Sequence, residues 1–383
     1  MMKGLMKLKI IKFKCIRVKK KILHAIRQGE IGGGETHVLD LVNHLDKAKY
    51  ESVILSFTDG PMVDQLKASN YKTYVIKTTT PFDLRVWSKV KKIISTEKID
   101  LIHAHGTRAN SNTFYSAKAL KIPLIYTVHG WSFHPDQNKV IKLIRTLSER
   151  FLVRVSNKTI CVSESNLTEG KRNFPMSNAV VIVNGINKDK FDPDKIYPDI
   201  RKEFEIGLDE VVVGYIARIT HQKSPLTFLR SIADVPSRAK YLIVGNGDLK
   251  PQMLQLAEEL NLKNKLIFLD FRKDIPAILN SIDIFCLPSL WEGLPIALLE
   301  AMAMRKAIIA SEIDGITDLI INNENGLIIP PLDIKKLALA LELLITDKSF
   351  RNKLGKQAEL TVKKNYNITT MTRKIQDLYT TLT

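Results

Sequence analysis

A doubly wound α/β fold in two Rossmann-like parallel-sheet domains is what this sequence predicts, on three observations. Short strand-like apolar runs alternate with amphipathic helical stretches along most of the chain, the mark of βα units and a parallel sheet. At 383 residues the chain suits two domains of ordinary size better than one. In both halves, glycine-rich or charged loops follow the strands, where sheets of this kind bind ligands.

In order, 21–26 reads as the first buried strand, and three consecutive glycines, Gly32, Gly33 and Gly34, open the helix that follows. They let a backbone approach a ligand and leave bare N–H groups at a helix N-terminus, although the spacing is not the dinucleotide fingerprint. Strands over 52–56, 74–76, 99–105 and 123–129 then alternate with helices over 61–68, 84–97 and 109–120. His105, Arg108 and His129 fall at strand ends. His103, His105, His129 and His134 raise a metal site, but no carboxylate stands at ligand spacing and no metal is expected. Trp131 either lines a site or packs. The stretch 140–154 is a basic amphipathic helix, read as a solvated cationic face or as a membrane-facing surface. Strands at 159–163 and 180–183 end the first domain, with a linker in 188–197.

The second domain opens with a strand at 210–217, from whose end Arg218 and Lys223 leave on a loop entering a helix from Leu226. A planar fork and a point charge so spaced suit a diphosphate. A strand from Lys240 ends in a turn containing Gly245, and 282–288 is another buried strand. After it come Glu292, Gly293, Leu294, Pro295 and Ile296, with a helix starting at Pro295 and carrying Glu300 about one turn in. The N–H groups of 294–298, Pro295 excepted, are expected to face the loop and favour an anion there.

Hydrophobic content of 45% and charged content of 26% are globular values. No apolar run is long enough for a transmembrane helix. Cys15, Cys161 and Cys286 show no metal or redox spacing; the latter two read as core residues in a reducing compartment. Net charge is +18, and nine basic residues among the first 21 meet no acid. Such a surplus favours nucleic acid, an anionic membrane face or phosphorylated substrates. Residues 1–20 read first as an appendage or mis-assigned start, second as an interfacial anchor, and make a poor secretory signal.

The wording of these loops carries a resemblance. Glu292-Gly-Leu-Pro-Ile-Ala-Leu-Leu-Glu300-Ala-Met-Ala resembles the E-x7-E signature of retaining, nucleotide-sugar-dependent glycosyltransferases of family 4, with the GT-B fold. Gly33-Gly34-Glu35-Thr-His37 resembles that family's G-G-x-E/T-x-H loop, and Thr127-Val-His129-Gly130 its T-x-H-G element. Asn184-Gly-Ile-Asn187, Arg218-Ile-Thr-His-Gln-Lys223, Gly245-Asn-Gly247 and the Phe268–Asp274 segment match further elements in order. Ala217, Ser224 and Asp270 stand where the pattern has Gly, and Thr317 and Asp318 where it has Pro and Glu. The change at Asp270 bears on which base is accepted.

The resemblance implies domains over 21–188 (acceptor side) and 189–366 (nucleotide-sugar side), with 367–383 crossing back. It implies a donor site of Gly33, Gly34, Arg218, Lys223, Gly245, Phe271, Arg272, Glu292, Gly293, Leu294, Pro295, Ile296 and Glu300. His129, Glu292, Arg218 and Lys223 are the expected catalytic group, and Glu35, His37, His105, Arg108 and Trp131 the acceptor side. Expected partners are a UDP- or GDP-type sugar donor, a lipid-linked or oligosaccharide acceptor and an anionic membrane, with no nucleic acid and no cofactor. A cytoplasmic enzyme, peripheral on the inner membrane face and engaged in cell-surface polysaccharide synthesis, is the resulting expectation. A nucleotide-sugar 2-epimerase of the same architecture and a basic polyanion-binding protein are the alternatives.

Overall fold

The computed structural model describes residues 19–30, 32–134, 136–236 and 238–383. The basic extension, apart from Lys19 and Lys20, lies outside them, as does Cys15. The first half runs β1 (Lys20–Ile26), α1 (Gly33–His44), β2 (Tyr50–Ser56), α2 (Pro61–Ala68), β3 (Lys72–Val75), α3 (Leu84–Glu97) and β4 (Leu101–His105). It continues with α4 (Thr107–Leu120), β5 (Leu124–Val128), α5 (Lys139–Val155), β6 (Lys158–Cys161), α6 (Glu164–Asn173) and β7 (Ala179–Val181). The second half comprises α7 (Ile200–Glu203), β8 (Val212–Ile216), α8 (Pro225–Ala233), β9 (Lys240–Val244), α9 (Lys250–Glu259), β10 (Leu266–Leu269) and α10 (Ile275–Ser281). Then follow β11 (Ile284–Leu287), α11 (Ile296–Ala303), β12 (Ala307–Ser311), β13 (Leu327–Ile329), α12 (Ile334–Thr346), α13 (Lys348–Asn365) and α14 (Ile368–Leu382).

Local chemistry explains the helix starts. Asp83, Asn138, Ser163, Asp333, Asp347 and Asn367 each accept a backbone N–H at the helix they precede. The reading of the sequence missed α6, α9, α12 and α13, and the short α7 and α10. In α9 and α13 charged faces blur the apolar periodicity, although Ser163, Asp333 and Asp347 announce α6, α12 and α13. Pro295 caps α11 rather than opening it, with an extended ψ of 114°.

Both sheets are wholly parallel among the described residues: β3-β2-β1-β4-β5-β6-β7 and β10-β9-β8-β11-β12-β13. Apolar clusters cover each face of the second sheet, one built on Leu298, Leu299 and Met302 of α11, the other on Phe228 and Leu341. Helix α14 packs Ile368, Met371, Ile375 and Tyr379 onto Ile22, Leu101 and Ile125 of the first sheet. Strand order reverses between β1 and β4 and again between β8 and β11. Loops leaving neighbouring strands diverge at such points and open a crevice. The two crevices face one cleft of about 2320 Å³.

Candidate active site

The second domain supplies the charges. Arg218 and Lys223 leave β8, and Glu292 lies in the loop after β11, the two sides of the reversal. Lys223 Nζ pairs directly with Glu292, which also accepts the Ser289 hydroxyl at 2.7 Å. Both charged side chains are nearly buried, 15% and 7% exposed, so each needs the other. Arg218 is partly buried; burial and neighbouring Arg27 push its pKa down, while Glu35 and Glu292 oppose them. Glu300, partly buried on α11, is pushed up to about 7 by burial and, secondarily, by Asp40 of α1, against Lys190.

The first domain supplies imidazoles. His24, His37, His103 and His105 are at most 3% exposed. Burial holds His24 down at about 3 and His37 at about 4, and keeps His103, His105 and His129 well below the ordinary value. All five are therefore neutral at pH 7. His105 Nδ1 lies 3.3 Å from His129 Nε2, and His37 Nδ1 lies 3.0 Å from Asn184 Oδ1. Ring nitrogens of His37, His105 and His129, and of His24, His103 and His105, approach within 4.8 Å, close enough to share an ion. His134 is elsewhere, stacked on Trp291 at 4.1 Å.

Backbone fits backbone where the walls meet. A β-carbon on Gly293 would lie 2.1 Å from the His129 carbonyl oxygen, and one on Gly34 would lie 3.3 Å from the His129 ring. Gly245, at φ +147°, passes so near β8 that a β-carbon would lie 2.0 Å from Ala217 O. Asn184 donates to Leu294 O at 3.0 Å, and Ser165 to Asp318 at 2.6 Å. Ser224 occupies the left-handed region, φ 49° and ψ 50°, where the family pattern has glycine.

Several expected roles change. Trp131 is 7% exposed; its indole N–H donates to Asn166 O at 2.8 Å and its ring stacks on Phe133. It packs beneath the acceptor side and also reaches the cleft wall. Arg272 reaches the rim, yet its guanidinium forks onto Glu203 and Asp274, so it fastens the loop rather than offering a free charge. Phe271 is exposed at that rim. Asp270 turns outward to Lys250, away from the cleft. The Leu298 N–H is taken by Pro295 O at 3.1 Å, leaving the N–H groups of Ile296 and Ala297, in the first helical turn, without a preceding turn to bond. Glu35 is 1% exposed and burial raises its pKa, even with Arg27 at 3.7 Å. The two described cysteines are buried thiols.

The sequence reading gave no site role to four contributors, one of which, Asn184, it named only within a motif. Arg27 follows β1 and shares the cleft with Arg218. Asn184 bridges His37 to Leu294. Trp291 closes one edge against His134. Glu149, fully buried on α5, accepts from Thr107 Oγ1 (2.7 Å), Tyr126 OH (2.8 Å) and Ser132 Oγ (2.5 Å). It thereby ties the surface helix to the His129 loop. A lone acid within a basic helix is the only signal the sequence offered.

Residues 197–361 match the family Glycosyl transferases group 1, and residues 31–190 match Glycosyltransferase Family 4. Among similar proteins is UDP-Gal:alpha-D-GlcNAc-diphosphoundecaprenol alpha-1,3-galactosyltransferase of Escherichia coli, 28% identical over 94% of this chain and 97% of that one. N,N'-diacetylbacillosaminyl-diphospho-undecaprenol alpha-1,3-N-acetylgalactosaminyltransferase of Campylobacter jejuni is 31% identical over 70% and 73%. Among solved structures, Anabaena HepE in complex with UDP and glucose superposes with a TM-score of 0.84, covering 95% of this chain and all of that one at 22% identity.

Proposed function

The chain belongs to the family-4 glycosyltransferases of the GT-B fold, and from that premise we propose the reaction it performs. It moves a hexosyl-type group from a UDP- or GDP-sugar to a lipid-linked or saccharide acceptor in cell-surface polysaccharide synthesis, retaining anomeric configuration. One observation carries the reading: Arg218, Lys223, Glu292 and Glu300 converge at one strand-order reversal and face His129 across the cleft. Glu300 accepts the ribose hydroxyls, and Arg218 and Lys223 hold the diphosphate. On donor binding, Lys223 is shared between Glu292 and the diphosphate. Glu292, neutral His129 and the N–H groups at the start of α11 position the sugar.

The sugar C1–O bond to the diphosphate breaks, and a new C1–O bond forms to the acceptor hydroxyl on the same face. The hydroxyl proton passes to the leaving phosphate oxygen. Two cations and a helix N-terminus stabilise the charge that grows there, so the reading requires no divalent metal. The wall-to-wall contact at Gly293 and His129 keeps bulk water from the reacting carbon.

Helix α5 brings the enzyme to its acceptor. Val140, Leu143, Ile144 and Leu147 are 53–64% exposed, among Lys139, Lys142, Arg145, Arg150 and Arg154. Such a face suits adsorption to an anionic membrane, in keeping with a protein peripheral on the cytoplasmic face. Among the described residues no helix is long and apolar enough to cross a membrane. The test is a panel of UDP-, GDP- and ADP-sugars with chelator present, reading thermal shift and transfer to lipid-linked acceptors. One nucleotide should stabilise the protein, less so in Glu300→Ala and Arg218→Ala. If none binds, the reading fails.

A further inference from the structure

The histidine wall of the cleft carries more ligating nitrogen than its own hydrogen bonds use. One ring nitrogen each from His37, His105 and His129 lies within 4.8 Å of the other two. The rings come from α1, from the last residue of β4 and from the residue after β5, so no spacing along the chain announces them. His105 Nδ1 and His129 Nε2 stand 3.3 Å apart. That is long for a hydrogen bond. It is the edge of a tetrahedron about an ion whose bonds to nitrogen are roughly 2.0–2.1 Å.

His37 is held ready by its neighbour. Asn184 Nδ2 donates to Leu294 O at 3.0 Å, so Oδ1 is the amide atom that faces His37 and accepts its Nδ1–H. The neutral ring then carries its lone pair on Nε2, which is buried with no partner among the described residues. Ligating histidines are oriented in this way, the second nitrogen donating to an oxygen behind the ring. His105 Nε2 is also buried and without a partner among the described residues. It can take the hydrogen that Nδ1 gives up when that atom turns to an ion. Arg27, near enough for His129 to feel its charge, opposes a cation, and Glu35, 3.7 Å from Arg27, offsets it. The neighbouring group of His24, His103 and His105 is a poorer seat. His103 commits both nitrogens, to Tyr379 OH at 2.6 Å and Thr127 Oγ1 at 2.7 Å. His105 and His129 line the cleft, which gives an ion its way in.

We propose that His37, His105 and His129 form a binding site for a zinc-class divalent cation, and that an ion seated there withdraws His129 from the sugar and holds the enzyme inactive. Three imidazoles select ions that favour nitrogen, such as Zn²⁺ or Co²⁺, over Mg²⁺ or Ca²⁺, which favour oxygen. Three protein ligands leave the fourth tetrahedral position to a water molecule. The inhibition rests on the transferase reading, in which neutral His129 positions the sugar; the site itself does not.

The test is titration of Co²⁺ into the full chain, carrying no added histidines and stripped by chelator and dialysis. Tetrahedral Co²⁺ absorbs strongly in the visible, and the octahedral aqueous ion weakly. One ion per chain should give the tetrahedral spectrum; Zn²⁺ should abolish it and excess Mg²⁺ should leave it. His37→Gln should weaken Co²⁺ binding by about tenfold or more, and Asn184→Ala, which frees the His37 tautomer, by about tenfold. The rival group is His134 and His221, with Asp136 at 3.7 and 3.8 Å, so His221→Ala should leave the spectrum intact. No tetrahedral spectrum in the wild type, or one unchanged in His37→Gln, overturns the site. If the buried variants fail to fold, His221→Ala still decides: a spectrum lost there places the ion on the rival group and overturns the proposal. In the transfer assay, one equivalent of Zn²⁺ should lower kcat by about tenfold or more, with nucleotide affinity within about twofold and recovery on chelation. Full activity with the ion bound overturns the inhibition. If no nucleotide binds, the transferase reading falls, and the Co²⁺ spectrum still decides the site.

Discussion

On the second domain's wall, Arg218, Lys223, Glu292 and Glu300 stand as charges, two of them paired and nearly buried. Across the cleft, His105 and His129 line the wall and His24, His37 and His103 pack behind them, and burial keeps all five uncharged. The difference teaches how one cleft serves two substrates. The charged wall can answer a leaving group that gains charge, because its ions are already desolvated and oriented. The neutral wall offers hydrogen bonds without attracting the diphosphate.

The sharpest way to break the contrast is to remove a charge. Arg218→Ala should lower kcat/KM by roughly 10²–10³-fold, since it strips stabilisation from the leaving group; steady-state kinetics with the selected donor checks it. Removing a neutral partner should cost less. His129→Ala is expected to lower kcat by about tenfold or more while nucleotide affinity stays nearly unchanged, the loss of one neutral hydrogen bond. A matching fall in nucleotide affinity would place His129 on the wrong side of the comparison.

Glu300 offers a pH test. Its folded pKa, about 7, is raised above the ordinary 4.5, so the folded state binds the extra proton. Its contribution to stability therefore falls as pH rises from 4.5 to about 7, then levels. On the proposed reading, in which the Glu300 carboxylate accepts both ribose hydroxyls, nucleotide affinity should move the opposite way. Between pH 6 and 8 it should rise by roughly tenfold, following the ionised fraction, and Glu300→Gln should flatten that slope in a titration series.

Two substitutions probe the supports. Glu149→Ala leaves Thr107, Tyr126 and Ser132 without their acceptor, and should cost about 2–4 kcal/mol in denaturant melts. Ser224→Gly is the smallest effect. It relieves a left-handed serine but loses the 2.8 Å bond to Thr227, so the melt should shift by no more than about 1 kcal/mol, towards greater stability.

The charged wall was legible in the sequence because Arg218, Lys223 and Glu292 lie in loops that follow strand ends and Glu300 rides on the helix after Glu292. Arg218 with Lys223, and Glu292 with Glu300, carry their context in short ordered motifs. The neutral wall was legible only in part. His105 and His129 stand at strand ends, but their neutrality comes from packing with neighbours far off in the chain, as His37 is, 92 positions from His129. Glu149 was given no site role, and Asn184 was named only within a motif, because their partners are distant in the chain and their residue types are ordinary. Trp131 could be read from sequence as lining a site or packing, and it does both, packed on Phe133 and Phe174 at the cleft wall. Arg272 went the other way, its charge consumed by Glu203 from 69 positions off.

Where Gly293 meets His129, the domains touch main chain to main chain, with no room for a β-carbon. That contact works as a gauge: it sets the aperture by main chain alone, which no side-chain substitution in either wall can narrow. Position 293 consequently tolerates no β-carbon without prising the domains apart. Variation in which sugar is admitted must therefore be written at the flanking side chains, on an opening whose depth is fixed.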